Sequence, residues 1–222
     1  MSARSLIRKA LILGKYRRFD PYRPENDKMR SIFIHVPKVA GTSIVYSIYG
    51  CGMGHVTANH YRWYDANRFA EFFTFGFVRN PWDRFASAYS YLSERSGSKW
   101  DIEWANRNMS EAPDFDRFVK KLIDDRTYRK QVMQWQHFRP QSDYLCDRSG
   151  SVIVDFVGRF ENLKNDFDEV CRKLEIEVEL PHRRPTKTRR PYMEQYDKCS
   201  IDLVSELYHT DIKQFGYNFV EE

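Results

Sequence analysis

Residues 31–46 place a lysine and several small or hydroxylated residues directly after an apolar run. The segment reads Ser-Ile-Phe-Ile-His-Val-Pro-Lys-Val-Ala-Gly-Thr-Ser-Ile-Val-Tyr. The run Ile32–Val36 predicts a short buried strand, which the following proline ends. We expect a tight turn over residues 38–41 and then a helix whose N-cap is Thr42 or Ser43. The N-terminus of such a helix exposes unpaired N–H groups, so the segment suits an anion.

The order of the lysine and the glycine in this turn excludes a Walker A loop. That motif has the spacing Gly-x-x-x-x-Gly-Lys-Ser/Thr, whereas here Lys38 precedes Gly41. The lysine therefore approaches an anion from the strand side. A P-loop-like kinase that uses ATP is the weaker alternative, because no clear apolar strand ending in a Mg-binding aspartate stands out.

A second segment, residues 72–91, places an arginine and a serine where they could share a second anion. The run Phe72–Val78 predicts another buried strand, and Arg79 follows at its carboxyl end, where open α/β sheets bind ligands. Pro81 suits the first turn of the next helix, and Ser87 lies about two turns along it. A guanidinium and a hydroxyl that converge in this way suit a phosphate monoester. The alternative is a structural ion pair for the arginine and a serine that bonds to its own helical turn.

Taken in order, the two segments resemble the PAPS-dependent sulfotransferases, where PAPS is 3′-phosphoadenosine 5′-phosphosulfate. The closest branch includes the carbohydrate 2-O-sulfotransferases and many bacterial members. The resemblance extends from about Ile32 to Phe219. It implies that Pro37–Ser43 holds the 5′-phosphosulfate and that Arg79–Tyr89 holds the 3′-phosphate. The nucleotide contacts so implied are Lys38, Val39, Ala40, Gly41, Thr42, Ser43, Arg79 and Ser87.

The first of these loops departs from the family pattern at two positions. Val39 stands where a threonine is common, so one hydroxyl contact to the phosphosulfate is missing. Ala40 stands where a glycine is common, which restricts the loop backbone. In the second segment, Asn80 replaces an aspartate of other branches, and this exchange is familiar within the family.

A basic, proline-flanked loop over residues 183–190 has the composition of a lid over an anion. In relatives, the matching region helps to close on the nucleotide. We therefore expect Thr186 and Lys187 to contact the nucleotide, with a solvated basic loop as the alternative reading.

Sulfonate transfer needs positive charge at the leaving phosphate and a base for the attacking hydroxyl. We predict that Lys38 balances the charge at the bridging oxygen and the transferring sulfonate, the alternative being an exposed loop lysine. The reaction needs no metal in principle, because cationic side chains and helix N–H groups can supply the electrostatic stabilisation.

The base is expected to be a histidine between the two phosphate motifs, because imidazole titrates near neutral pH. His55 and His60 stand there. The Gly-His-Val segment around His55 resembles the one that carries the catalytic histidine in the 2-O-sulfotransferases, so we predict His55 as the base and His60 as the next candidate. His35 alternates with apolar residues and is expected to be buried and structural. His137 either lines the acceptor cleft or has a structural role.

Composition predicts one α/β domain with a sizeable core, because the chain has 222 residues of which 41% are hydrophobic. Strands that alternate with helices predict a P-loop-like parallel sheet covered by helices on both faces. We assign residues 1–30 to a basic N-terminal arm and residues 31–222 to a single sulfotransferase domain. The arm holds nine Lys/Arg against three Asp/Glu. It is expected to dock on the body, with contact to an anionic membrane surface as the alternative.

Periodicity and cap residues predict the remaining elements. Residues 93–113 are predicted to be a polar loop or lid, and residues 151–160 a strand. One helix is predicted to begin at Pro113-Asp114 and to bury Phe115, Phe118, Val119, Leu122 and Ile123, and another to begin at Asn162 with Leu163, Phe167, Val170 and Leu174 inward. The last helix is predicted from its N-cap Ser200 to Phe215, with Gly216 ending it. Arg84 is expected to pair structurally with a nearby carboxylate.

The cysteines and the hydropathy pattern bear on the compartment. The four cysteines show neither Cys-x-x-Cys nor zinc-ligand spacing, which favours free thiols in a reducing cytoplasm. No run approaches the roughly 18 apolar residues that span a membrane. We therefore expect a cytoplasmic protein, with attachment to the inner face of the membrane as the alternative.

The predicted function is transfer of a sulfonate group from PAPS to a hydroxyl of a carbohydrate or glycan, with 3′-phosphoadenosine 5′-phosphate (PAP) as product. We expect no metal and no nucleic-acid partner; a small hydroxylated metabolite is the alternative acceptor. The basic arm and loop also suggest a non-enzymatic polyanion-binding module, which would bind heparin or nucleic acid salt-dependently without nucleotide preference. Metal-independent retention of PAP over ATP would separate the transferase from the kinase.

Overall fold

The computed structural model describes residues 19–95, 97–181 and 191–220, which group into two compact units. The first unit holds the described residues up to Val36 together with Gly41–Phe77 and Asp143–Pro181. The second holds Pro37–Ala40, Val78–Ser142 and the described residues from Pro191. The predicted division into an arm over 1–30 and one domain over 31–222 stays a prediction.

The described residues alternate between strands and helices. The strands are β1 (Ser31–Ile34), β2 (Phe73–Val78) and β3 (Phe156–Arg159). The helices are α1 (Pro24–Met29), α2 (Gly41–Tyr49), α3 (Ala58–Tyr64), α4 (Ala66–Glu71), α5 (Pro81–Ser93), α6 (Lys99–Asn108), α7 (Phe115–Asp124), α8 (Arg126–Met133), α9 (Ser142–Leu145), α10 (Leu163–Lys173), α11 (Lys198–Leu207) and α12 (His209–Phe215). Short 3₁₀ turns cover Phe160–Asn162 and Tyr192–Gln195.

The strands form an open sheet in the order β1-β2-β3, flanked by helices. β1 and β2 pair in parallel, with Ile32 opposite Thr74 and Ile34 opposite Gly76. Both strands were predicted from their apolar runs, and the α/β class with a parallel sheet is confirmed. β1 ends at Ile34, two residues before the predicted end, because the chain turns back and the amide of Val36 donates to the carbonyl of Ile34.

Glycine at one position in β2 permits close packing within the first unit. A Cβ built on Gly76 would lie 2.5 Å from Cδ2 of Leu145, so any side chain here would force Leu145 to move. Nearby, the carboxylate of Asp155 accepts hydrogen bonds from the amide and the hydroxyl of Thr74, both at 2.8 Å. This contact ties the chain just before β3 to the middle of the sheet.

The loop predicted over residues 93–113 is wrong for the middle of that segment, because Lys99–Asn108 forms helix α6. A reciprocal capping box starts this helix: Ser98 accepts from the amide of Asp101, and the carboxylate of Asp101 accepts from the amide of Ser98. Asp101, Ala105 and Asn108 then face inward at helical spacing. The Ser-x-x-Asp spacing was the signal that could have predicted the helix.

The C-terminal region is two helices instead of the predicted one. α11 begins after the N-cap Asp197, not at Ser200, which lies at its third position. The helix breaks at Tyr208, which is fully buried and donates its hydroxyl to the carbonyl of Phe138 at 2.6 Å. Gly216 ends α12 with a φ of +65°, as predicted.

The other predicted boundaries agree with the structure in part. Asp114 caps α7, which buries Phe118, Val119 and Leu122, but Ile123 is 40% exposed and its predicted burial is wrong. The strand predicted over 151–160 is confined to β3, because the chain before it makes only a bridge from Val152 to Cys146 and the chain after it enters a 3₁₀ turn.

The core of the second unit is aromatic. Phe85 lies 5.4 Å from Phe138 and 6.2 Å from Tyr208, measured between ring centroids, and Phe118 lies 5.5 Å from Phe138. The four cysteines, all within the described residues, form no disulfide. Among the described residues, no helix has the length and apolar character needed to cross a membrane.

Candidate functional site

The loop Pro37–Ala40 has an unusual backbone. Lys38 has a φ of +72° and Ala40 a φ of +62°, so two residues with side chains adopt the left-handed region. This conformation costs each of them about 1–2 kcal/mol. Such strain persists only where the surroundings hold the chain, and it concentrates at functional sites. Val39, between the two strained residues, is fully buried and anchors the loop.

These positive φ values also explain why one helix prediction is wrong. α2 begins at Gly41, immediately after Ala40, because the left-handed residue completes the turn there. Thr42 and Ser43 therefore lie in the first helical turn and are not N-caps. Thr42 is exposed and Ser43 is half-buried.

Arg79 lies directly after β2, and its backbone is held on both sides by one side chain. Oε1 of Gln141 accepts from the amide of Arg79 at 2.9 Å, and Nε2 of Gln141 donates to its carbonyl at 2.8 Å. Gln141 is fully buried, and its own amide donates to the buried carboxylate of Asp211 at 2.7 Å. The position of Arg79 is thus fixed by a chain of buried hydrogen bonds.

The guanidinium of Arg79 joins the strained loop to helix α5. Nη1 donates to the carbonyl of Lys38 at 3.1 Å, while Nε and Nη2 each lie 2.6 Å from Oδ2 of Asp83. The structural ion pair that the sequence raised as an alternative is therefore present. Asp83 was missed, although its four-residue spacing from Arg79 was a signal. The 3′-phosphate contact of Arg79 stays a prediction.

One face of α5 carries half-buried polar side chains at four-residue spacing. Asp83, Ser87 and Tyr91 follow one another along this face. Nζ of Lys38 lies 3.9 Å from the centre of the Tyr91 ring, a cation–π contact. The structure thus brings Lys38 and Arg79 together, and it places Ser87 on the same helix face, between Asp83 and Tyr91.

A buried carboxylate lies behind this face. Oδ2 of Asp101 accepts from the hydroxyls of Ser98 at 2.7 Å and Tyr91 at 3.2 Å. Oδ1 of Asp101 lies 2.9 Å from Nε2 of His137. Burial acts to raise the pKa of Asp101, but the hydrogen bonds from His137 and Ser98 outweigh it and hold this pKa well below its usual range. Burial lowers the pKa of His137, and Asp101 opposes that effect.

His137 thus lies in a buried pair, only 5% exposed, which matches the structural role that the sequence left open for it. Arg84 has the structural role predicted for it, but with different partners. It is fully buried and donates to the carbonyls of His137 at 3.2 Å and Arg139 at 2.5 Å, not to a carboxylate. The partners differ because the chain after α8 turns its carbonyls toward the helix that carries Arg84.

His55, in the first unit, has a defined tautomer. Its Nδ1 lies 2.7 Å from the carbonyl oxygen of His35. Because a carbonyl only accepts, Nδ1 carries the proton, and the neutral ring has its lone pair on Nε2. The two imidazole rings lie 4.2 Å apart, measured between centroids. The role of His55 as the base stays a prediction.

His35 is buried, with 8% exposure, as predicted for a structural histidine. Its Nδ1 lies 3.1 Å from the carbonyl of Met53. A Cβ built on Gly41 would lie 2.2 Å from Cδ2 of His35, so this ring demands glycine at the start of α2. The glycine of the loop motif therefore has a packing reason of its own.

His60, the second candidate base, has the opposite tautomer. It lies in the first turn of α3, where its amide bonds to the N-cap Thr57. Its Nε2 lies 3.0 Å from the carbonyl of Phe19, so Nε2 carries the proton. This contact gives His60 a structural function, but both histidine assignments stay predictions.

Two predicted nucleotide contacts, Thr186 and Lys187, lie outside the described residues. Within the described part of the chain, no group of three or more His, Cys, Asp or Glu side chains could hold a metal ion.

The open three-stranded sheet flanked by helices defines an α/β protein and is consistent with the sulfotransferase fold. The chain belongs to the sulfotransferase family, whose model matches residues 25–218. Membership supports sulfonyl transfer in general. The carbohydrate 2-O-sulfotransferase branch stays a prediction.

An uncharacterized protein of Archaeoglobus fulgidus is similar to half of the chain. It is 32% identical over 112 residues, which cover 50% of this chain and 75% of the archaeal protein. No solved structure matches the chain.

Proposed function

We propose that this protein transfers a sulfonate group from PAPS to a hydroxyl of a carbohydrate or glycan. The observation that carries the proposal is the strained loop whose carbonyl at Lys38 is held by Arg79. Two cationic residues are thereby joined by a direct hydrogen bond at 3.1 Å. Charges that are already positioned stabilise a bound anion with little further loss of conformational entropy.

The donor supplies a sulfonate that is already activated by its bond to a phosphate. Lys38 offers its ammonium to the bridging oxygen, where negative charge grows as the bond from sulfur breaks. Its partial burial strengthens this interaction over that of a fully hydrated lysine. The amide groups in the first turn of α2, next along the chain, add the positive end of a helix dipole.

The 3′-phosphate contact is assigned to Arg79 and Ser87. The guanidinium of Arg79 also forms an ion pair with Asp83, so in this proposal it contacts both that carboxylate and the 3′-phosphate. The ion pair orients the guanidinium, since both of its hydrogen bonds run to one oxygen. Ser87, one turn beyond Asp83 along α5, offers a hydroxyl on the same helix face.

The base is assigned to His55. The carbonyl of His35 fixes the proton on Nδ1, so Nε2 is the atom that accepts the proton of the attacking hydroxyl. Imidazole suits this step because its ordinary pKa of about 6.5 leaves it neutral at pH 7. The carbohydrate acceptor rests on the likeness of the Gly-His-Val segment to that of the 2-O-sulfotransferases.

The decisive experiment is transfer of radiolabelled sulfonate from PAPS to a panel of oligosaccharides and small hydroxylated metabolites. We expect label in at least one saccharide, metal-independent turnover, and no transfer of phosphate from labelled ATP. Lys38→Ala is the matched inactive control. A wild-type protein that binds ATP in preference to PAP would refute the donor assignment. Label that enters only non-carbohydrate hydroxyls would refute the acceptor class alone.

A further inference from the structure

We infer that Tyr91 is a positioning residue that holds the Lys38 ammonium, and that Asp101, His137 and Ser98 hold Tyr91 in place. The consequence for the reaction rests on the proposed function, in which Lys38 neutralises the departing phosphate. The contact itself does not depend on that function. All five residues belong to the second unit.

Lys38 is held at its backbone and at the tip of its side chain. Its carbonyl accepts from Nη1 of Arg79, and its ammonium lies 3.9 Å from the centre of the Tyr91 ring. A lysine side chain rotates about four carbon–carbon bonds, so a contact to its backbone alone would not fix the position of the ammonium group. The negative face of an aromatic ring attracts the ammonium and defines where the side chain ends.

The Tyr91 ring is itself held from its far end. Its hydroxyl lies 3.2 Å from Oδ2 of Asp101, which is 4% exposed. That carboxylate is oriented by Ser98 on one oxygen and by Nε2 of His137 on the other. The His137 ring also packs against the Tyr91 ring, with centroids 5.0 Å apart. The buried pair of Asp101 and His137 takes no part in the proposed chemistry, and we assign it the role of holding the Tyr91 ring in place.

The backbone of Gly97 packs against the hydroxyl of Tyr91. A Cβ built there would lie 2.4 Å from Oη of Tyr91 and 3.0 Å from Cβ of Asp101. Gly97 has an ordinary φ, so its lack of a side chain serves packing and not backbone conformation. Substitution of Gly97 therefore offers a way to displace the tyrosine without altering either Tyr91 or Lys38.

The direct test is nuclear magnetic resonance of lysine side chains in the full-length protein. Protons above an aromatic ring shift upfield, so the ε-methylene resonance of Lys38 is expected upfield of solvent-exposed lysines. Loss of that resonance in Lys38→Arg assigns it. Tyr91→Phe should keep only part of the upfield shift, because the ring remains but loses its hydrogen bond to Asp101. Tyr91→Leu should abolish the shift, and Gly97→Ala should reduce it. The internal control is Lys121, whose ammonium lies 4.7 Å from the centre of the Tyr128 ring and should not change in any of these variants.

The kinetic test separates positioning from general damage. Tyr91→Leu should lower kcat for sulfonate transfer by roughly 10- to 100-fold, the effect of a displacement near 1 Å, with little change in KM for PAPS. Tyr91→Phe should lose less of kcat than Tyr91→Leu, since the ring remains but its hydrogen bond to Asp101 is lost. A merely structural role would lower the folded fraction and leave kcat per folded molecule unchanged.

The outcomes distinguish this inference from the proposed function. An ordinary Lys38 resonance in the wild type, an upfield shift that survives in Tyr91→Leu, or full kcat in Tyr91→Leu would each overturn the inference. If the shift is present and is lost in Tyr91→Leu, but the wild type transfers no sulfonate, then the positioning of Lys38 is upheld and the proposed function is refuted.

Discussion

Replacement of His55 tests the assignment of the base most directly. A positioned general base contributes about 10²–10⁴ in rate, or about 3–5 kcal/mol of barrier. His55→Ala should therefore lower kcat for sulfonate transfer by that factor. The affinity for PAP should change little, because the base serves the acceptor. In the wild type, the rate should fall as the pH drops below the pKa of the base, since only neutral imidazole accepts a proton.

The bond from Nδ1 of His55 to the carbonyl of His35 allows a sharper variant, His55→Asn. The asparagine amide nitrogen occupies nearly the place of Nδ1 and can donate to the same carbonyl, but nothing replaces Nε2. That hydrogen bond is worth about 0.5–1.5 kcal/mol, so His55→Asn should keep more stability than His55→Ala. Both variants should lose the same catalytic factor.

His60→Ala is the matched control, because Nε2 of His60 is bonded to the carbonyl of Phe19. It should retain near-normal kcat and lose some stability. The assay is initial-rate sulfonate transfer across pH, with urea unfolding of each variant. Full activity in His55→Asn would refute the reasoning from the tautomer. Loss of transfer in His60→Ala with activity retained in His55→Ala would exchange the two roles.

The remaining predictions concern affinity, turnover, acid stability and loop strain. Arg79→Ala should weaken PAP binding by about 1.5–3 kcal/mol in calorimetry, the value of a hydrogen bond to a charged group, while exposed Arg117→Ala should not; equal wild-type affinity for PAP and AMP would contradict the assignment. Lys38→Ala should lower kcat more than it weakens PAP binding, because the charge it neutralises grows in the transition state, and a change confined to KM would make it a binding residue. The depressed pKa of Asp101 stabilises the fold above the unfolded-state pKa of about 3.9, and this stabilisation is lost as the pH falls below that value. The wild type should therefore exceed Asp101→Asn in unfolding free energy at pH 7, and this advantage should shrink steadily as the pH falls below about 4, whereas a constant difference would contradict the cause. Ala40→Gly should raise the unfolding free energy by up to about 1 kcal/mol, because relief of the left-handed conformation exceeds the added freedom of the unfolded glycine, and a lower value would show that Ala40 is not strained.

The parts of the fold that follow from local pattern could be predicted from the sequence. The runs that became β1 and β2 are apolar and aromatic, and Gly216 adopts the left-handed conformation that its position suggested. The helix α6 escaped prediction because polar residues and two exposed or half-buried tryptophans hide its inward face. The break at Tyr208 depends on a hydrogen bond to a carbonyl 70 residues away, which no local pattern contains.

In the candidate site, too, some contacts follow from local sequence pattern and others depend on long-range packing. Lys38 and Arg79 could be paired from the sequence, because each follows a parallel strand and such ends meet at one edge of a sheet. The contact of Lys38 with Tyr91 depends on how far along α5 the lysine side chain reaches. The pairing of Asp101 with His137 spans 36 residues and depends on the packing of separate helices. Composition and spacing carry no information about either.

The contact between His35 and Gly41 links two positions that a reader of the sequence would treat separately. The imidazole fills the space that a side chain at position 41 would need. A larger residue at position 41, the start of α2, should therefore require a smaller one at position 35, directly after β1. Conservation of Gly41 considered alone would be explained by ligand binding. Covariation between positions 35 and 41 would instead show that Gly41 is needed for packing against His35.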